Sequence, residues 1–319
     1  MPYGDLPLPQ LREYVSCLSE PDDFDAFWQD TLESSRRVAR PHHLEPIDNR
    51  LAVIDSWDVT FSGFGGHDVS AWLHRPIDAD SDRPCIVQFV GYGGGRGMPH
   101  ENIAWAAAGY VQLVVDTRGQ GSAWSVGHTD DPNTGSPAVP GFMTRGIESP
   151  HEYYYRRVMT DAVLAVELAR TLDGVEPGRV VTTGASQGGG LAIAAAALGA
   201  AAGAMPDVPF LCDFPRAVWI ADTAPYNEIA RYLSTHRDRT DQVLRTLSYF
   251  DGVALARRAH MPAIFSVALM DTVCPPSTVY AAYNAWQGAK QIQEWSFNNH
   301  EGGLAFQHIA QLDWLKSTI

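Results

Sequence analysis

Cysteine is scarce in this sequence, with four in 319 residues: Cys17, Cys85, Cys212 and Cys274. No two form a C-x-x-C pair, which removes the zinc knuckle and the dithiol redox motif from consideration. Sparse, unpaired cysteines fit a reducing compartment, and Cys85, inside an apolar run, is expected in a core. Positive charge is also short. Lys and Arg total 23 against 37 Asp and Glu, a formal net charge of −14. Such a chain repels phosphate backbones and anionic bilayers, so neither nucleic acid nor membrane is an expected partner. No run of about 18 apolar residues occurs. The N-terminal stretch Met1–Leu6 has neither a basic n-region nor an apolar h-region. These absences lead to the expectation of a cytoplasmic, unanchored protein.

What is present is 45% hydrophobic and 19% charged, the composition of a globular chain. Residues 21–40 read as a helix, with Asp22, Asp23 and Asp25 in the first turn, where carboxylates suit the helix dipole. Phe24, Phe27, Trp28 and Leu32 fall on one face, as core or subunit packing would place them. Two strand-like segments, 54–61 and 69–75, flank a Gly-rich turn and read as a hairpin. The runs 85–90 and 111–115 are near-continuously apolar, as in parallel strands covered on both faces, with an Ala-rich crossover helix at 101–108. A Gly/Pro-rich stretch of residues 118–150 is too long for an ordinary connection and is expected to be functional or interface-forming. Helix 153–172, strand 180–183 and helix 191–198 follow. Residues 216–222 read either as a strand or as a helical turn in an insertion. Strand 263–269, helix 276–286, strand 292–297 and helix 304–316 complete the alternation, which predicts an α/β fold with a mostly parallel sheet and helices on both faces. No repeat or linker divides the chain. One domain, 1–319, is expected, with an N-terminal helical extension at about 20–40 and an insertion at about 207–252.

The chemistry-bearing motif is Gly184-Ala185-Ser186-Gln187-Gly188, a G-x-S-x-G pattern between a predicted strand and a predicted helix. That context is the nucleophile elbow of an α/β-hydrolase: the glycines permit a sharp turn that lifts the serine hydroxyl above the sheet. A serine hydroxyl needs a base, and the fold's order is Ser, acid, His. His300, in a loop after the last strand, is the base. His308 lies inside the final helix and reads as structural. Asp271, at the end of strand 263–269, is the acid expected to hold the imidazole tautomer, against the alternative of a helix cap. Glu301 is the second choice of acid, with awkward geometry beside His300. The oxyanion hole is expected to use the backbone N–H of Gln187 and one from the loop Gly91–Gly97, whose glycines allow close approach. A phosphate loop is excluded there because neither G-K-[ST] nor a G-x-G-x-x-G register is present.

Arg118-Gly119-Gln120, Gly184–Gly188 and His300-Glu301, in that order and spacing, resemble the signature of the acetyl xylan esterase/cephalosporin C deacetylase family. Tyr153-Tyr154-Tyr155-Arg156, the stretch 246–251 and Cys274-Pro275-Pro276-Ser277-Thr278 are similar as well, so the likeness covers nearly the whole chain. It implies a carbohydrate esterase hydrolysing acetyl esters of short xylo-oligosaccharides and of cephalosporin C. Its triad falls on Ser186, Asp271 and His300, and its oxyanion donors on the backbones of Tyr92 and Gln187. It implies no metal and no cofactor, a cytoplasmic hexamer built as a trimer of dimers, and a helical insertion at 216–222. Residues 118–150 would then serve subunit contacts. Arg118 and Gln120, with Glu301 beside the histidine, would be structural supports. By analogy a tight acyl pocket would use Tyr92, Phe210, Cys274 and Trp105, with ordinary core packing as the other reading of Phe210 and Trp105. Ala185 departs from the glycine that the family more often has. The rival readings are another α/β-hydrolase, dienelactone-type or aminopeptidase-like, and a non-catalytic hydrolase-fold binding protein.

Overall fold

In a computed structural model, residues 5–77 and 81–319 are described. Met1–Gly4, part of the N-terminal stretch discussed above, lie outside them. The chain begins with helices α1 (Leu8–Arg12) and α2 (Phe24–Arg37) and the strands β1 (His43–Ile47), β2 (Ile54–Ser62) and β3 (Asp68–Pro76). Next come β4 (Arg83–Phe89), α3 (Ala104–Ala107), β5 (Val111–Val115), α4 (Tyr154–Ala169), β6 (Val175–Ala185), α5 (Gln187–Leu198) and β7 (Gly203–Asp207). Four helices follow, α6 (Phe214–Ile220), α7 (Tyr226–Thr235), α8 (Thr240–Ser248) and α9 (Gly252–Ala256). The chain closes with β8 (Ala263–Ala268), α10 (Pro276–Ala285), β9 (Lys290–Trp295) and α11 (Leu304–Thr318).

The nine strands form one sheet in the order β1-β2-β3-β5-β4-β6-β7-β8-β9. Every pairing from β5 to β9 is parallel, while β1, β2 and β3 join antiparallel. Period-two alternation divides the core. Along β4, Cys85, Val87 and Phe89 face the large cluster shared with α4 and α5. Ile86 faces the smaller one with Trp105, Trp314 and Leu315. Strand β8 repeats this, Phe265 and Val267 to one side and Ile264 to the other. Both faces are thus covered by helices, as the unbroken apolar runs require. The aromatics of α2 are buried, Phe27 and Trp28 packing on Tyr249 and Phe250.

Several elements differ from expectation. The crossover helix at 101–108 is reduced to α3. Asn102 stands at φ 47° and the buried Gln112 side chain takes the Asn102 carbonyl and the Ala106 N–H, so the segment before Ala104 turns instead of winding. Residues 216–222 are not a strand. Asp251 accepts the Asp213 and Phe214 N–H groups at 2.8 Å each, which caps the start of α6. Strands β1 and β7 were not anticipated. The first is a mostly exposed edge strand containing Pro46, and the second is five residues of Gly-Ala-Met-Pro-Asp.

Candidate active site

The turn from β6 into α5 carries Ser186 at φ 57°, ψ −121°, a conformation rare outside glycine. The flanking glycines are sterically obligatory. A Cβ on Gly184 would meet the Gly188 backbone at 2.5 Å, and one on Gly188 would meet the Phe89 carbonyl at 2.3 Å. The Ser186 N–H donates to the Asp207 carbonyl (3.0 Å), and the Ser186 carbonyl accepts from Phe210 N–H (2.9 Å), so the elbow is fastened to the neighbouring strand end.

Asp271 and His300 come from the turns after β8 and β9. Asp271 Oδ1 accepts the N–H groups of Val273 (2.8 Å) and Cys274 (2.9 Å), while Oδ2 lies 2.8 Å from His300 Nδ1. The Asp271 side chain is 1% exposed and that of His300 29%, so the imidazole alone reaches solvent. With Nδ1 donating to the carboxylate, Nε2 is the nitrogen left to act as a base. Asn299 Oδ1 ties the two turns together, accepting from His300 N–H (2.8 Å) and Thr272 N–H (3.1 Å). The exposed Glu301 carboxylate accepts from Asn298 Nδ2 (3.0 Å) and Asn299 N–H (3.2 Å), bracing the histidine turn without touching the ring.

Ser186 and His300 line one pocket of about 540 Å³ with Tyr92, Trp124, Pro140, Val273 and the Ala224–Pro225 pair. Ala185, the departure from the resembled family, lines it too. Ser186 and His300 thus share one space, and serine–imidazole hydrogen bonds tighten in a substrate complex. Gln187 opens α5, where backbone N–H groups have no intrahelical acceptor and point toward the pocket end of the helix. Its side chain accepts from Tyr155 Oη (2.8 Å) and Gln120 Nε2 (2.9 Å). Gln120 Oε1 in turn accepts the Gly93 N–H at 2.7 Å, so this one buried amide joins the two loops expected to supply oxyanion donors. Arg118 is fully buried and bidentate to Asp161, at 2.5 and 2.7 Å.

The acyl-pocket candidates divide. Cys274 is buried with its thiol pushed well up by burial, then by the Asp271 charge, while a hydrogen bond with Ser186 opposes the shift. Its backbone N–H is bound to Asp271 Oδ1, which places it beside the Asp271 turn. Phe210 is buried behind the pocket wall, edge-on to Tyr92 at 6.2 Å. Trp105 is not brought to the site. It packs under the opposite face of the sheet, 4.3 Å from the His308 ring. Asp271, Cys274 and His300 also offer donor atoms within 4.8 Å of one another, but His300 Nδ1 and Asp271 Oδ2 already bond each other.

Sequence reasoning missed Asn299, Trp124, Pro140 and Ala224–Pro225. The doubled Asn298-Asn299 before the histidine was a usable turn signal. The other residues come from distant segments and carry no local mark.

A model of the family described as acetyl xylan esterase (AXE1) matches residues 1–318. An acetyl esterase, Axe7A, of Xylanibacter ruminicola is 24% identical, over 97% of this chain and 69% of its own length. An acetyl xylan esterase from Paenibacillus sp. R4 superposes with a TM-score of 0.89 at 35% identity, covering 98% of this chain and 100% of that one. Acetyl xylan esterase 1 from Thermoanaerobacterium sp. JW/SL YS485 gives 0.88 at 31% identity, covering 98% and 99%.

Proposed function

This chain belongs to the acetyl xylan esterase family, as the match over residues 1–318 requires, and within it we propose a Ser186–His300–Asp271 esterase that deacetylates short xylo-oligosaccharides and cephalosporin C. It is a carboxylic ester hydrolase. In the proposed sequence His300 Nε2 takes the Ser186 proton as Oγ attacks the acetyl carbonyl carbon. The N–H groups of Tyr92 and Gln187 hold the resulting oxyanion. His300 returns the proton to the departing sugar or cephem oxygen, leaving an acetyl-serine. Water, deprotonated by His300, attacks that ester, and acetate leaves as His300 returns the proton to Ser186 Oγ. Asp271 keeps the proton on Nδ1 throughout and stabilises the imidazolium. The 2.8 Å contact between His300 Nδ1 and an Asp271 that is closed to solvent, opening on the pocket that holds Ser186, supports this reading above any other observation.

Removing the nucleophile tests it. Ser186→Ala is expected to lower kcat on an aryl acetate by about 10⁴–10⁶-fold with the fold intact; wild-type turnover in that variant overturns the assignment. Acetyl, propionyl and butyryl esters of xylo-oligosaccharides and cephalosporin C, assayed in parallel, decide the substrate class.

We also infer a cytoplasmic hexamer. Among the described residues no helix is long and apolar enough to cross a membrane. Phe297 (83% exposed), Leu304 (68%) and Phe306 (73%) crowd the histidine turn and the start of α11, and exposed apolar clusters of this kind mark association surfaces. Sedimentation at micromolar concentration is expected to give six chains; a monomer overturns it.

A further inference from the structure

The side chain of Tyr92 is engaged at its far end as well as at its backbone. Its hydroxyl accepts the N–H groups of Gly141 (3.2 Å) and Phe142 (2.8 Å). Its oxygen lies 2.8 and 2.9 Å from the two carboxylate oxygens of Glu228 on α7. A phenol has one proton and two lone pairs. The two amides occupy the lone pairs, so the proton must go to Glu228. Glu228 is therefore an acceptor, and Oε2 accepts the Met143 N–H as well, at 3.2 Å. Burial, with the Glu228 charge behind it, pushes the Tyr92 hydroxyl far above its usual range and keeps it a donor. Burial also raises the Glu228 carboxyl, against the Tyr92 hydrogen bond.

The three segments joined here have nothing else in common in the sequence. Tyr92 belongs to the loop after β4, Gly141–Met143 to the long stretch before α4, and Glu228 to the helical insertion. Each contributes to the pocket wall, through Tyr92 itself, Pro140 and Pro225. The peptide of Tyr92 is clamped on its other side, its carbonyl accepting from Trp124 Nε1 at 2.9 Å.

We propose that Glu228 is a positioning residue for acyl transfer, its carboxylate holding the Tyr92 hydroxyl and through it the backbone N–H that meets the oxyanion. This rests on the Ser186 esterase reading and extends it. Glu228 touches no reacting atom; its effect runs through the orientation of one peptide and the spacing of three walls. An oxyanion donor displaced by a fraction of an ångström loses most of its transition-state advantage while substrate binding is little changed. The signature is thus in kcat, and in acyl-chain discrimination, because the same tie sets the pocket width.

Glu228→Gln keeps the volume and replaces one of the two acceptor oxygens with a donor that faces Tyr92 or Met143. With active sites counted by a fluorophosphonate on Ser186, kcat on an aryl acetate is expected to fall about 10-fold or more, with KM within about 3-fold. The preference for acetyl over butyryl esters is expected to weaken. Tyr92→Phe, which keeps the backbone N–H, is expected to match it, and the double variant to be no worse than either single one. Counting sites confines the reading to folded enzyme. Wild-type kcat and acyl preference in Glu228→Gln, or losses that multiply in the double variant, overturn the proposal. The wild type and Ser186→Ala are assayed alongside. Activity surviving in Ser186→Ala faults the esterase reading instead, and leaves the two failures distinct.

Discussion

The floor and the roof of the pocket are built by different means. The floor stands on strand ends: Ser186 after β6, Asp271 after β8, His300 after β9. Its parts are fixed by near neighbours. Asp271 is held by N–H groups two and three residues on, and the serine by its own backbone conformation between two glycines. The roof consists of the loop after β4, residues 118–150 and the helical insertion. It is held by side-chain pairs remote in sequence: Arg118 with Asp161 at 43 positions, Gln120 with Gln187 at 67, Tyr92 with Glu228 at 136. Chemistry here depends on short-range geometry imposed by the sheet, whereas pocket shape depends on buried polar contacts between segments. Damage to the floor should therefore stop turnover and spare stability, and damage deep in the roof, away from the Tyr92–Glu228 tie, should do the reverse.

Asp271→Asn presses the first half hardest. The amide oxygen can still accept from Val273 and Cys274, but its NH₂ faces His300 Nδ1 and forces the wrong tautomer. A loss of about 10⁴-fold in kcat with a nearly unchanged melting midpoint is expected. A variant that melts early while turning over normally would break the comparison on the floor side. Arg118→Met presses the second half. It leaves Asp161 charged and buried without its bidentate partner, and Asp131, 3.8 Å from Arg118, keeps Arg157 as its cation. Stripping one member of a buried pair costs about 3–5 kcal/mol, to be read by urea unfolding. Activity per titrated site is expected to stay within about 10-fold. Unaltered stability would mean that the roof does not depend on this pair.

The same division explains what could be read from the sequence. The floor was legible because its signals are local: G-x-S-x-G between a strand and a helix, an aspartate closing an apolar run, a histidine in the turn after the last strand. The sheet was legible for the same reason wherever strands are buried on both faces, as in β4, β5 and β8. Strand β7 escaped because Gly-Ala-Met-Pro-Asp has neither β-branched residues nor alternation. Strand β1 escaped because one exposed edge strand needs no apolar pattern. The roof was legible only through the resemblance, which marked Arg118 and Gln120 as supports; a half-buried Glu228 is a polar residue like any other until its partner, far along the chain, is known. Trp105 was offered to the pocket by resemblance, with core packing as the other reading, and the core reading holds. An aromatic in a short helix suits a pocket or a core equally, and the facing residues, Trp314 and Leu315 of α11, decide for the core.

The smallest effect is expected at Asp207, the last residue of β7, and it sharpens the comparison from within the floor. Its carboxylate accepts the Ser266 hydroxyl, and its carboxyl is pushed up to about 6, chiefly by burial, with the Ser266 bond and the His300 charge opposing and the Asp271 charge adding. An ordinary unfolded aspartate titrates near about 4. Between about pH 4 and pH 6 the folded protein therefore keeps a proton that the unfolded chain has released, so this residue's stabilisation is full below about pH 4, falls as pH rises, and is gone above about pH 6. Asparagine mimics the protonated form and does not titrate. The stability of Asp207→Asn relative to wild type is thus expected to rise between about pH 4 and pH 7 by about 1–2 kcal/mol, less than the full displacement would give because the residue keeps some solvent contact. Urea unfolding of both proteins at matched pH isolates the difference. Turnover should change little, since only Asp271 of the two carboxylates bonds the imidazole. If Asp207→Asn instead stopped turnover as Asp271→Asn is expected to, the acid would have been placed one strand too late, and the floor would be held together by the very kind of buried, unmarked polar contact that distinguishes the roof.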